Sequence, residues 1–373
     1  MEVRIRSLSR LVFAALAVGA LGAMCGCASS PGAAAIRPAK NVYVIQNNSV
    51  NGVEADSVLA VSATSTGAAT PAATLQLPSS LVAFAVATGP DGEIYVGGPI
   101  SETVGEVLVY AAGSSGTATP TATLLGGGSN TFTSPLFITV GSKGQLYVFS
   151  ADGSIESFAK GAKSAAAPAQ YLTYGVTSPD YFGGMGVDDA GEIFVADELA
   201  GIVDVFGAGA SGADLPVRSI QASSTGGFTD LYGVAVDGAG DVTVMNYNPA
   251  DDPFDSAGTR PVSLARAAAR GHRNGTARPM DDAPLLPTAL LTFAAGASGT
   301  ATPARTLSGS LTLINEPEGV AVDGLLNLYY EDYENGALTV MMFPPAATGN
   351  VAPSTSMTST ALTASYFGSI AAY

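Results

Sequence analysis

The stretch Glu318–Phe343, EGVAVDGLLNLYYEDYENGALTVMMF, decides the fold. It reads as an apolar run closing on Asp323, a turn, a second apolar run, a polar turn and a third apolar run. The phrase recurs as YGVAVDGAGDVTVM from Tyr232 and GMGVDDAGEIFVADELAGIVDVF from Gly184, and more loosely as FAVATGPDGEIYV from Phe84 and FITVGSKGQLYVFSADGSIESF from Phe137. Each copy leads into a Gly/Ala/Ser/Thr stretch ending in proline, as in GSSGTATPTATL from Gly113, GASGADLPVRSI from Gly209 and GASGTATPARTL from Gly296. The prolines Pro71, Pro120, Pro168, Pro216, Pro303 and Pro353 are spaced by 49, 48, 48, 87 and 50 residues. A fixed period of this size marks a repeat architecture, with one repeat carrying an insertion.

Every repeat holds four short runs rich in Val, Ile, Leu, Tyr and Phe, punctuated by Gly, Asp, Asn and Ser, the pattern of strands joined by turns. Four antiparallel strands per repeat describe a propeller blade, so the expected fold is all-β. The folded part opens at Asn41 with NVYVIQNN, which matches a second strand, whereas SYFGSIAAY at Ser365–Tyr373 matches a first strand and stops. The two are expected to share one blade, closing a six-bladed ring and removing the exposed edges of an open array. The other five blades are placed near 80–125, 133–173, 180–221, 229–308 and 315–358, and the domain over 41–373.

Ahead of the ring, Arg4, Arg6 and Arg10 precede the apolar run Leu11–Met24, which is too short to span a bilayer and reads as an export signal. Met24-Cys25-Gly26-Cys27 resembles a bacterial lipoprotein signal over 1–27, with Cys27 the lipidated residue; a plain secretory signal is the alternative. Residues 28–40, rich in Ala, Pro and Ser, read as a tether. The expected location is the bacterial cell envelope, the anchor being the only membrane contact and the ring a monomer. Both cysteines lie in the signal, so the ring relies on packing rather than disulfides.

The formal net charge of −16 falls by two further units once Arg4, Arg6, Arg10 and Glu2 leave with the signal, which argues against nucleic acid and anionic lipid as partners of the ring. The insertion, 246–287, is the exception. It carries Arg260, Arg266, Arg270, Arg273 and Arg278, five of the chain's 15 basic residues, together with the only histidine, His272. Arg266, Arg270, Arg273 and Arg278 could grip an acidic protein or glycan through guanidinium forks, and the same composition fits an idle charge block.

The repeat phrase resembles the NHL repeat. It stands as Pro317-Glu318-Gly319-Val320-Ala321-Val322-Asp323, as Gly191-Glu192-Ile193-Phe194-Val195 and as Ile202-Val203-Asp204-Val205-Phe206. The resemblance covers the ring except the insertion and implies a propeller. Its activities range over lyases, lactonase-like hydrolases and binding modules, so it leaves function open. Gly201 and Ala337 stand where NHL repeats often carry a basic residue, which removes support for a basic binding face.

One histidine excludes a multi-histidine metal site and HExxH. No GxSxG elbow, P-loop or dinucleotide fingerprint is present. The remaining candidates are oxygen donors around the channel mouth: Asp180, Asp230, Glu316 and Glu318 beside the inner strand, and Asp197, Glu198, Asn246, Asn248, Glu331 and Asp332 after the second strand. Asp197, Asn246, Glu318 and Asp332 are the candidate ligands for Ca²⁺, which takes six to eight oxygens; turn and rim roles are the competing account. Asp188, Asp237 and Asp323 are expected to shape hairpins by Asx bonding. Tyr95, Tyr147, Phe194 and Tyr329 are expected to pack between blades. Two functions follow: a non-enzymatic, envelope-anchored module binding a protein or glycan, or a calcium-dependent lactonase-like hydrolase or lyase at the channel mouth.

Overall fold

Alternating apolar residues between Gly- and Asp-rich turns fold as strands that pair with their sequence neighbours. In the computed structural model these strands form six antiparallel four-stranded blades, besides a two-stranded sheet of Ser49–Val50 and Val53–Glu54. The structure describes residues 39–359 and 369–373, apart from 48, 51–52, 55, 69, 128–131, 165, 175–181, 199, 223–227, 229, 249–285, 316 and 335–336. Residues 1–27, read above as a signal with Cys27, most of the expected tether, Asp180, Glu316, His272 and Arg260, Arg266, Arg270, Arg273 and Arg278 therefore lie outside the described residues, as does the side chain of Asp230.

The first blade joins the two ends of the ring: its inner strand is Ile370–Ala372, followed by Asn41–Gln46, Ser57–Ser62 and Ala73–Gln76. Val42 pairs with Ala372 and Val44 with Ile370, and the Tyr373 carbonyl accepts the N–H groups of Lys40 and Asn41 at 2.7 and 2.9 Å. The closure expected from the sequence is thus present. The ring also takes in two residues assigned to the tether, since the Ala39 N–H donates to Asp323 of the sixth blade at 2.9 Å.

The second blade runs Ala85–Thr88, Ile94–Ser101, Val104–Tyr110 and Ala122–Leu125. The third runs Pro135–Val140, Leu146–Ser150, Ser154–Phe158 and Gln170–Thr173. The fourth is Phe182–Val187, Ile193–Asp197, Ile202–Phe206 and Arg218–Ala222. The fifth is Asp230–Val236, Val242–Tyr247, Ala289–Phe293 and Arg305–Ser308, and the sixth Pro317–Val322, Leu328–Glu334, Ala337–Phe343 and Thr355–Ser359. The inner strands touch in succession round the ring, the sixth returning to the first. Glycine permits this approach: a Cβ on Gly183 would stand 2.1 Å from the Leu231 carbonyl oxygen of the next inner strand.

The proline-terminated phrase has a structural job. In each blade it joins the third strand to the outer one, and the residue four before the proline forms a parallel bridge to the outer strand of the preceding blade. Gly67, Gly116, Ser164, Gly212, Gly299 and Gly349 meet Met357, Leu75, Leu124, Leu172, Ile220 and Leu307 respectively. At Gly116 the clasp is two backbone bonds, Gln76 N–H to the Gly116 carbonyl at 2.8 Å and Gly116 N–H to the Thr74 carbonyl at 2.7 Å. All six clasp residues have φ between 54° and 73°, the left-handed region natural to glycine, and the third blade alone uses a serine. The clasps cover outer edges that would otherwise be free to pair with other chains.

The ring has two unlike sides. The turn side carries the first-to-second hairpins and the third-to-fourth connections. The insertion side carries the second-to-third turns and the connections between blades, including the one between Tyr247 and Ala289 that holds the insertion. Between the sides, Tyr95, Tyr147, Phe194 and Tyr329 are buried, each packed with side chains of the following blade, as expected.

Candidate functional site

The turn side repeats itself. The Asp188 carboxylate accepts the Glu192 N–H at 2.8 Å, Asp237 accepts Ala239 and Asp241 N–H, and Asp323 accepts Leu325 and Asn327 N–H, all at 2.9 Å for the last four. These are the Asx-bonded hairpins read from the sequence. Arg218 holds Glu192 with two bonds of 2.7 Å while stacking over Phe194 at 5.5 Å, and this pairing lowers the Glu192 carboxyl below its usual range.

The insertion side differs from blade to blade, and its polar residues sit at the strand ends. Asp197 closes the second strand of the fourth blade. Its Oδ1 accepts the Ala200 N–H at 2.7 Å and its Oδ2 the Tyr174 hydroxyl at 3.2 Å. The same hydroxyl bonds Asp204, which in turn accepts the Ser219 hydroxyl. Burial first, and then the charges of Asp204 and Asp197, hold the Tyr174 phenol far above its ordinary value, so it stays a donor. Asn246 stands at the corresponding place in the fifth blade. Its amide nitrogen donates to the Pro287 carbonyl at 2.9 Å and the Leu286 carbonyl at 3.3 Å. The Asn248 N–H donates to the Thr288 hydroxyl at 3.0 Å. Together these bonds pin the two roots of the insertion. Asp332 in the sixth blade accepts the Tyr330 hydroxyl and the Asn315 N–H. Asp197, Asn246 and Asp332 are thus each engaged within or beside their own blade. Among the described residues no three His, Cys, Asp or Glu side chains come together in a group able to hold a metal ion.

Glu318 and Glu331 depart from the repeat. The inner strands of the third to sixth blades share a bulge near their start, and Leu136, Gly183 and Gly233 occupy the position that Glu318 takes. Glu331 lies two residues beyond the aromatic of its second strand, where the other blades place Ile45, Gly97, Phe149, Ala196 and Met245. Directly across from it is Val340, which packs with Tyr329 against Val42, Val44 and Ile370 of the first blade. Alternation along the strand puts Glu331 on that same apolar face, at the seam where the ring closes. It is 0% exposed and neither carboxyl oxygen has a hydrogen-bond partner. Burial, reinforced by the charge of Glu318, pushes its carboxyl well above the usual range. Two apolar positions of the repeat have therefore become neighbouring carboxyls in one blade.

A second buried acid lies in the third blade. Glu156 is 0% exposed and its Oε2 has no partner. Burial pushes its carboxyl up to about 7, opposed by the Phe132 backbone and Ser154 hydroxyl bonds and reinforced by Asp152. Sequence reasoning missed Glu156 and the Tyr174–Asp197–Asp204 group, although Glu156 was visible as the lone acid in the apolar third strand SIESF.

No protein-family model matches the chain, and no curated protein matches its sequence. Among solved structures the chain is similar to a protein of unknown function from Bacteroides caccae, at 9% identity over 90% of this chain and 98% of that one, with a TM-score of 0.48.

Proposed function

We propose that this propeller is an NHL-type binding or scaffold module of the bacterial envelope, held by a lipid on Cys27, that receives a protein or glycan on its insertion side. The observation that carries this reading is the contrast between the two sides. The turn side repeats one hairpin design, whereas the insertion side carries unlike residues at equivalent positions and the longest connection of the chain. A ring whose repeats are built for packing places its individuality where partners are met. Asp197, Asn246 and Asp332 support binding rather than chemistry, since each is engaged in holding local structure. Ala39 enters the ring beside the Asp323 hairpin, on the turn side.

Anchoring is tested by labelled-palmitate incorporation, expected in the native chain and absent in Cys27→Ala; label retained in that variant overturns it. The binding side is tested by comparing what the processed protein retains from envelope extracts with two variants. One is neutralised at Glu102, Asp152 and Glu198 on the insertion side, the other at Asp91, Asp189 and Asp214 on the turn side. Loss of retention in the first variant alone is expected. Loss in the second alone would overturn the assignment.

A further inference from the structure

One cleft of the turn side lacks the contacts that fill its neighbour. It lies between the third and fourth blades, has a volume of about 180 Å³, and is lined by Gly141, Lys143, Gln145 and Tyr147 of the third blade with Gly191 and Ala208 of the fourth. Tyr147 is 6% exposed, yet its hydroxyl, 3.7 Å from a Cβ placed on Gly191, has no hydrogen-bond partner among the described residues. A buried tyrosine ordinarily finds one. The sixth blade shows what is missing. There the Tyr329 hydroxyl donates to Asp323 at 3.1 Å, and Gly141 stands at the place of Asp323 in its own hairpin. A Cβ on Gly141 would be 3.6 Å from the Tyr147 ring and 3.7 Å from the Gln145 amide oxygen, ordinary contacts that leave the seat of that carboxylate open. In the cleft before it, between the second and third blades, the same space is closed. Glu93 Oε2 lies 2.6 Å from a Cβ placed on Gly89, and Lys160 pairs with Asp91 across the gap. Between the third and fourth blades Ala208 replaces Lys160, and Lys143 replaces Asp91. The pair is reduced to one ammonium, which makes no ion pair among the described residues, and the Gln145 amide beside it is unbonded as well. The acids of the cleft lean toward the fifth blade: Asp188 uses Oδ1 on the Glu192 N–H, its Oδ2 lies 3.2 Å from a Cβ placed on Gly240, and Asp189 Oδ2 lies 2.7 Å from one placed on Gly238.

We infer that this cleft binds a small hydroxylated carboxylate of the sugar-acid class, with its carboxylate between the Tyr147 hydroxyl and the Lys143 ammonium and a ring hydroxyl on the Gln145 amide. The ligand supplies what the neighbouring blades supply from their own side chains, an acidic oxygen for a buried phenol and a counter-charge for a lysine. Burial, and after it the charge of Asp188, hold the Tyr147 phenol above its ordinary value, so it stays a donor. The Gln145 amide both donates and accepts, as a hydroxyl does, which selects a polyol over a plain fatty acid. The volume falls below the range of about 300–1,000 Å³ that drug-sized ligands occupy, so the cleft takes one sugar residue. An α-amino acid fits less well, since its ammonium would stand beside Lys143 while the acids turn toward the fifth blade. The inference concerns the side opposite the partner surface and does not depend on that reading.

The test titrates the purified protein calorimetrically with galacturonate, glucuronate, galactose, acetate, aspartate and the galacturonate trimer. At least one uronate is expected to bind, more tightly than galactose, acetate or aspartate. Lys143→Gln, at an exposed site, should weaken the uronate by about fivefold and leave galactose unchanged. Tyr147→Phe installs the residue that the fourth blade carries at this place, Phe194, and should weaken it by about tenfold with Tm unchanged. Gly141→Asp returns the carboxylate of the repeat to its seat and should weaken binding by more than about tenfold without loss of folding. Equal affinity for galacturonate and its trimer supports a free sugar acid, and tighter binding of the trimer supports a sugar acid within a glycan. No binding of either uronate at millimolar concentration overturns the inference, as does uronate binding that survives Gly141→Asp in a folded protein. Galactose, acetate or aspartate binding as tightly as the uronates overturns the sugar-acid assignment.

Discussion

Glu156→Gln keeps the shape of a buried side chain while removing its charge, and its effect must depend on pH in one direction only. In the fold the carboxyl is pushed up to about 7, because burial penalises the charged form and only weak donors offset it. In the unfolded chain it titrates near its ordinary value of 4.5. Between those two values the folded state holds a proton that the unfolded state has lost, so stability is full below pH 4.5 and declines as pH rises, levelling off above 7. Each pH unit is worth about 1.4 kcal/mol, so the full window amounts to about 3 kcal/mol, and about 2–3 kcal/mol after allowing for relaxation around the site. For a ring of this size 1 kcal/mol moves Tm by about 1–2 °C. The variant should therefore match the native protein within about a degree at pH 4.5 and exceed it by about 3–5 °C at pH 8, read by differential scanning calorimetry across the series. A difference that stays constant with pH, or one that grows toward acid, would refute the assignment of Glu156 as a buried acid held neutral by the fold.

Glu331→Met installs the residue that the fifth blade already uses at this place, Met245. It should raise Tm at pH 7 and flatten the alkaline fall of stability, by about 2–4 kcal/mol, checked by the same calorimetric series. Ser164→Gly relieves the one clasp that holds a side chain at φ 54° and should gain about 0.5–1 kcal/mol, whereas Gly212→Ala, at φ 61° with open space around it, should lose a similar amount; chemical denaturation of the two variants reads both signs. Gly183→Ala should cost more than about 2 kcal/mol, because its Cβ would press on a backbone carbonyl 2.1 Å away that cannot step aside without moving a neighbouring inner strand.

The period, the blade count, the strand order and the closing strand were legible because each rests on local chemistry repeated six times. Turn residues, alternating apolar runs and a missing first strand leave their marks in any one copy, and the remaining copies confirm them. The hairpin aspartates and the inter-blade aromatics were legible for the same reason. The candidate site was less so, because it consists of departures from the repeat. Glu331 reads as a rim residue when taken with Asp332, and only the strand register shows it at the apolar position of Met245 and Phe149. Glu318 reads as one more acid before GVAVD until the bulge aligns it with Leu136, Gly183 and Gly233. The Tyr174–Asp204 bond joins neighbouring blades, and no spacing in the sequence encodes it.

The central claim is that the ring meets its partner with the insertion side. Cross-linking mass spectrometry of the protein in the cells that produce it tests it most directly, using a reagent that joins carboxylates to neighbouring amines. The account predicts partner cross-links at Glu102, Asp152 and Glu198, with Asp91, Asp189 and Asp214 unlinked. Partner cross-links concentrated on the latter three would contradict it.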